Sequence, residues 1–239
     1  MAFMIHSDVD KRNLCLYISL EVVTVNNVST RNFAIMPDPI SRPYHHGDLR
    51  RAVIDTAQDM LREEKDWQFT LREVARRAGV SHAAPYKHFH DKSALLAELA
   101  KLGFAELAAT LNGATPKNTA SLRDEVVPIA QAYIAFAMQN PALYRLMFSA
   151  EEGRSTGLHL SDSALSVFEV TVELLRRGQA AGLIRNRPIQ GQAATCWALL
   201  HGIAMLAIDG LLVPEKVGPN PLEAALDTLI EGLAVEQGD

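Results

Sequence analysis

The sequence predicts an all-α protein: a small N-terminal three-helix unit containing a helix-turn-helix, joined to a larger helical body, about nine helices in all. Three observations predict it. Apolar residues recur at intervals of three and four almost without interruption from Leu49 to Leu233. Residues that start helices (Thr70, Ser81, Asp91) and glycines that stop them (Gly79, Gly113, Gly182) bound the periodic runs. The one strand-like run, LCLYISLEVVTV from Leu14 to Val25, precedes all of this.

A chain of 239 residues, 48% hydrophobic, can bury one large core or two small ones. Cys15 and Cys196 are its only cysteines, so no disulfide framework or cysteine metal spacing can be read, and a reducing cytoplasm is expected. Asp8, Asp10, Lys11 and Arg12 precede the first apolar run, the wrong order for a secretory signal.

Residues 1–41 stand apart. They form either a β-hairpin packed on the body or a translated extension upstream of a start at Met36. The extension is favoured, because a lone hairpin has nothing to pair with in a helical protein. The remaining chain divides into 42–92 and 93–239. Between Arg42 and Lys92 ten Lys/Arg face eight Asp/Glu, with five of the eight histidines; from Ser93 onward ten face sixteen. A mildly basic head on an acidic body suits a protein whose head meets a polyanion.

The first helix begins near Asp48 and carries Leu49, Val53, Ala57, Met60 and Leu61 as a stripe. The second, TLREVARRAG, has Thr70 as cap, Glu73 as its capping-box partner and Gly79 as its stop. Ser81 is expected to cap a third, short helix, with Pro85 at the end of its first turn. Asp91 caps a fourth, running through Leu95, Leu96, Leu99, Leu102 and Leu107 to Gly113. After the linker NGATPKNTAS come a stripe from Val126 to Met138, a short helix opened by Asn140 and Pro141, a helix through Leu165, Phe168, Val172 and Leu175, and a last one after Pro221.

Before that last helix, AATCWALLHGIAMLAIDGLLV is long enough to cross a bilayer. His201 and Asp209 inside it, the absence of a second span and the lack of a flanking basic cluster argue against a membrane. Ala194, Ala198 and Gly202, four apart, let another helix approach closely. This is either the central core helix or a subunit interface.

Thr70 to Phe89 has helix-turn-helix spacing. Gly79 can take positive φ, Val80 fills the angle, and Ala75 is small where the helices cross. The plain alternative is a helical hairpin within a larger bundle. In a helix-turn-helix the start of the second helix meets base edges while neighbours hold phosphates, so His82, with Ala83 beside it, is the candidate base reader. Arg42, Tyr44, His45 and His46 form an arm before the first helix that can lie along phosphates or reach a minor groove. His45 and His46 lack a third ligand at helical spacing, so phosphate contact is favoured over metal.

TLREVARRAGVSHAAPYKHFHDKSALL resembles the DNA-binding unit of the tetracycline-repressor (TetR) family of bacterial one-component regulators, with its threonine cap, A-x-x-A-G-V-S turn and Y-x-x-F. The resemblance implies phosphate contacts from Tyr86, Lys87 and Lys92, and a buried Phe89. Thr70, Ser81 and His88 complete the expected DNA-binding set. CWALLHGIAMLAIDG resembles the Trp-His-Gly (WHG) signature of one C-terminal branch of that family, through Trp197, His201 and Gly202, and NPALYRLMFS is similar to that branch as well. That implies a C-terminal helical ligand-binding and dimerisation domain.

Tyr133, Phe136, Met138, Tyr144, Met147, Phe148, Phe168 and Met205 are either core or pocket lining. Trp197 and His201 either reach into a ligand cavity or bond to their surroundings as ordinary buried residues. The expected partners are a double-stranded DNA operator, a second copy of the chain and a small-molecule effector. No metal, cofactor or membrane is expected. An enzyme is disfavoured: there are no paired Glu-x-x-His motifs, and no phosphate loop, G-x-S-x-G or H-E-x-x-H. Control by a protein partner instead of a small molecule turns on whether the body holds a cavity.

Overall fold

The computed structural model describes residues 49–64, 66–116, 121–149 and 157–235. The readings of residues 1–41 and of Arg42, Tyr44, His45 and His46 lie outside the described residues. Helix α1 (Leu49–Glu64) buries Val53, Ile54, Ala57, Met60 and Leu61, the face its periodicity marks. Helix α2 (Leu71–Arg77) packs against it. At the start of α2 the Glu73 N–H donates to Thr70 Oγ1 (3.2 Å) and the Thr70 N–H donates to Glu73 Oε2 (2.6 Å). Those bonds hold the Glu73 carboxyl below its ordinary pKa. At its end Gly79 takes φ +70°, the Val80 N–H donates to the Ala75 carbonyl and the Gly79 N–H to that of Arg76, a Schellman closure. Ala75 is fully buried at the crossing.

The next element departs from expectation. Ser81 does not cap a helix through its side chain. Its carbonyl accepts from the Ala84 N–H at 2.9 Å, closing a turn, and the helix that follows is one 3-10 turn, Pro85–Lys87, with Ala84 as its N-cap. Pro85 is therefore the first residue of that turn and not the end of a longer helix's first turn. There the amide it lacks has no helical partner to lose, and its fixed φ suits the entry.

Helix α3 (Lys92–Ala114), capped by the Asp91 carboxylate on the Ala94 N–H, is about 34 Å long at 1.5 Å per residue. It packs on α1 and then forms the centre of the body, so one continuous helix crosses from head to body. Leu102 was expected on its buried stripe, yet it is exposed; Gly103 and Phe104 take the inward face.

Around α3 lie α4 (Leu122–Gln139), α5 (Pro141–Met147) and α6 (Asp162–Ala180), with a 3-10 turn at Leu158–Leu160 before α6. Helix α7 (Ile189–Ile208) rests on α4 and α6, and after the short α8 (Pro214–Val217), α9 (Pro221–Leu233) packs on α4 and α7. That makes nine α-helices among the described residues. The one pairing outside helices there is an antiparallel bridge between Ile184 and Ala234. Gly178 lets the loop after α6 fold back: a Cβ there would stand 2.4 Å from Ile184 Cδ1.

Of the two readings for the apolar helix α7, the central-core one is overturned. Ala194, Ala198, Trp197 and Leu206 are exposed, and no other described residue lies within 4 Å of where a Gly202 side chain would start. The small-residue row faces away from the other helices among the described residues.

Candidate functional site

The head presents one polar surface. Thr70, Ser81, His82, Ala83, Tyr86, Lys87 and His88 are all exposed, Tyr86 at 50% despite its ring, while Ala84, Pro85 and Phe89 are buried beneath them. The tight 3-10 turn produces this split: it packs three small or apolar residues inward and turns the tyrosine, lysine and histidines outward. Arg50 lies over the Phe89 ring at 5.7 Å and pairs with Glu98 at 2.6 Å, which fastens α1 to α3 behind the surface. Arg77 pairs with Glu63, fastening α2 to α1. Lys92 is half-buried with its ammonium 5.8 Å from the Phe69 ring, so it is less open than Lys87. Arg72, exposed in the first turn of α2 beside Thr70, adds a cation that the sequence reading did not single out.

The body holds a cavity of about 190 Å³ between α3, α4, α6 and α7. Of the ten residues weighed as pocket lining, Tyr133, Phe148, Phe168 and Trp197 line it. The others do not. Phe136 and Met147 are buried in the core, Met138 is exposed on α4, and Met205 packs on the core's edge. Tyr144 and His201 belong to a polar chain behind the wall: Tyr133 Oη to Tyr144 Oη at 2.9 Å, and Tyr144 Oη to His201 Nδ1 at 2.8 Å. Trp197 thus meets the cavity, whereas His201 is a residue bonded to its neighbours.

Burial pushes the Tyr133 hydroxyl up to about 12 against the opposing bonds from Tyr144 and Trp197. Burial also raises Tyr144 and lowers His201, so both tyrosines stay protonated and the imidazole tends to neutrality.

Phe104, Leu111, Ile129, His159, Leu165, Thr171 and Leu200 also line the cavity and were missed. Phe104 carried a signal, since it is an aromatic residue on a leucine-rich helix. His159 and Thr171 carried none. A smaller notch of about 60 Å³ lies where α1 meets the corner between α4 and α5. Among the described residues no three His, Cys, Asp or Glu side chains gather as metal ligands.

Residues 54–99 match the family described as bacterial regulatory proteins, tetR family, and residues 126–233 match the tetracyclin repressor-like C-terminal domain. A solved protein of unknown function from Rhodococcus sp. RHA1 is 38% identical, covers 81% of this chain and all of its own, and superposes with a TM-score of 0.68. A tetR-family regulatory protein from Rhodococcus RHA1 shares the fold at 19% identity and a TM-score of 0.56, over 79% of this chain and 99% of its own. The HTH-type transcriptional regulator YobS of Bacillus subtilis is 22% identical over 79% of this chain and 94% of its own length. The HTH-type transcriptional regulator BetI of Klebsiella pneumoniae is 29% identical over 74% and 87%.

Proposed function

Because the chain belongs to the tetR family of bacterial helix-turn-helix transcriptional regulators, we propose that it is a dimeric cytoplasmic repressor, released from a pseudo-palindromic operator by a small, apolar molecule that enters the body. The observation that carries this reading is the outward projection of His82, Tyr86 and Lys87 from a segment anchored by the buried Ala84, Pro85 and Phe89. In this reading Tyr86, Lys87, Lys92 and Thr70 hold phosphates, Ser81 and His88 flank them, and His82 with Ala83 meets base edges. Arg42, Tyr44, His45 and His46 are assigned further contacts to DNA. We assign residues 42–92 to the head and 93–239 to the body. No catalytic residue, metal or cofactor is assigned.

A second copy of the chain is supported by α7. Its Ala194, Ala198 and Gly202 row, with Trp197 and Leu206, is an apolar face that no helix among the described residues covers. The same helix has the length and composition to span a membrane. Its packing on α4 and α6, the Tyr144 bond to His201 and the Arg145 pair with Asp209 favour attachment to the body.

The cavity favours a small molecule over a protein partner as effector. Phe104 and Phe148 line it, and their neighbours Gly103 and Met147 form the contact between α3 and α5. Filling the cavity therefore acts on the helix that leads to the head, with a coupling of about 1 to 3 kcal/mol. Footprinting on the DNA upstream of the chain's own gene tests the dimeric operator. Two protected half-sites about one helical turn apart are expected, and a single unpaired footprint would contradict the two-fold arrangement.

A further inference from the structure

We infer that the cavity takes an uncharged, single-ring aromatic molecule carrying one hydrogen-bonding group, and that the Thr171 hydroxyl receives that group. This rests on the reading above that the cavity is the effector's seat, and it adds charge, shape and polarity to "small and apolar".

Charge comes first. None of the described residues lining the cavity is Lys, Arg, Asp or Glu. A cation would lose its water there without gaining a counter-charge, and an anion would find only the His159 imidazole, which faces the Ser149 carbonyl. Shape comes from the walls. Five of the thirteen lining residues, Phe104, Tyr133, Phe148, Phe168 and Trp197, carry aromatic rings, against 6% of the whole chain. Phe104 and Phe148 already meet edge to face at 5.3 Å, and such walls accept a planar ring by the same edge and face contacts. Size agrees with one ring: the volume is about 190 Å³, and an apolar cavity of about 150 Å³ holds benzene.

Polarity comes from Thr171. The Tyr133 hydroxyl on the wall is already engaged by Tyr144. Thr110, Thr195 and Thr228 return their hydroxyls to the carbonyl four residues back, at 2.9, 3.0 and 3.0 Å. Thr171, one turn beyond Val167 and Phe168 on the lining face of α6, has no hydrogen-bond partner among the described residues. Of the polar side chains on the wall, Tyr133 is bonded to Tyr144 and His159 faces the Ser149 carbonyl at 3.4 Å, so the unspent Thr171 hydroxyl is a place for one polar atom of a ligand.

The test uses the full-length protein with Trp67→Phe, which leaves Trp197 as the single tryptophan reporter. Its fluorescence is titrated with p-cresol, toluene, p-toluate, tetramethylammonium and 1-decanol. We expect p-cresol to bind about five-fold tighter than toluene, the value of one hydrogen bond. p-Toluate and tetramethylammonium should bind about a hundred-fold more weakly or not at all. Thr171→Val should reduce p-cresol to the level of toluene, while unchanged toluene binding shows that the cavity is intact.

The inference is overturned if p-toluate, tetramethylammonium or 1-decanol binds as tightly as p-cresol, if Thr171→Val leaves the p-cresol advantage, or if p-cresol does not bind. Binding of p-cresol without loss of operator affinity would instead contradict the release reading alone. Release by a molecule of another class, with p-cresol unbound, would contradict this inference alone.

Discussion

The Tyr144 hydroxyl lies 2.8 Å from His201 Nδ1, joining α5 to α7, and 2.9 Å from the Tyr133 hydroxyl, joining α5 to α4. Tyr144 is fully buried, and its ring packs against those of Tyr133, Phe148 and His201. With a neutral imidazole accepting at Nδ1, Tyr144 donates to His201 and accepts from Tyr133. Three helices of the body are tied through one hydroxyl.

His201 makes stability depend on pH. Burial lowers its pKa in the folded protein below 6.5, so the unfolded chain binds this proton more readily. Its contribution is complete above about 6.5 and is lost as pH falls through the folded value. His201→Asn keeps a polar atom near Nδ1 and cannot titrate. Between pH 7.5 and 5.5 the Tm of the unmodified protein should fall further than that of the variant; equal falls would contradict a buried neutral imidazole.

Tyr144→Phe removes the central hydroxyl and leaves Tyr133 and His201 without it, a cost of about 1 to 3 kcal/mol. Tyr133→Phe leaves the Tyr144 bond to His201 in place and should cost less. Urea unfolding of the two variants measures the order, and the reverse order would mean that the chain of hydroxyls is not shared in this way.

Glycine substitutions in helices should separate by their surroundings. At Gly178 a Cβ meets the stiff Ile184 side chain at 2.4 Å, whereas at Gly113 nothing lies within 4 Å. Gly113→Ala should stabilise by up to about 1 kcal/mol through helix propensity. Gly178→Ala should destabilise by about 1 to 3 kcal/mol, because overpacking outweighs that gain. Thermal melts of both variants check the opposite signs.

The head was legible because its signals are local. The capping box at Thr70 and Glu73, the positive φ at Gly79 and the small Ala75 each depend on neighbours a few residues away. Pro85 was placed too late in its helix because spacing alone does not distinguish a 3-10 turn from the first turn of an α-helix. The core face of α3 was misread at Leu102 because a leucine-rich helix offers apolar residues on more than one side; only the contact of Gly103 with Met147 and Leu143 picks the face. The cavity was half legible. Its aromatic walls stand out in composition, but Thr171 and His159 matter through where α6 and the turn before it pass, which no periodicity records.

On the DNA surface, two side chains should fail in different ways. Lys87→Ala should weaken binding to every duplex alike and reduce the slope of log K against log salt by about one, as a lost phosphate contact does. His82→Ala should flatten base preference and leave the slope in place. A lysine variant with altered sequence preference and an unchanged slope would exchange the two roles.

Fluorescence anisotropy of the full-length protein on the duplex upstream of its own gene, beside a shuffled duplex of equal length, decides whether the exposed His82, Tyr86 and Lys87 surface reads DNA. Binding to the native duplex should be tighter by about a thousand-fold or more and should weaken steeply as salt rises. Equal affinity for the two duplexes, or binding indifferent to salt, would contradict it.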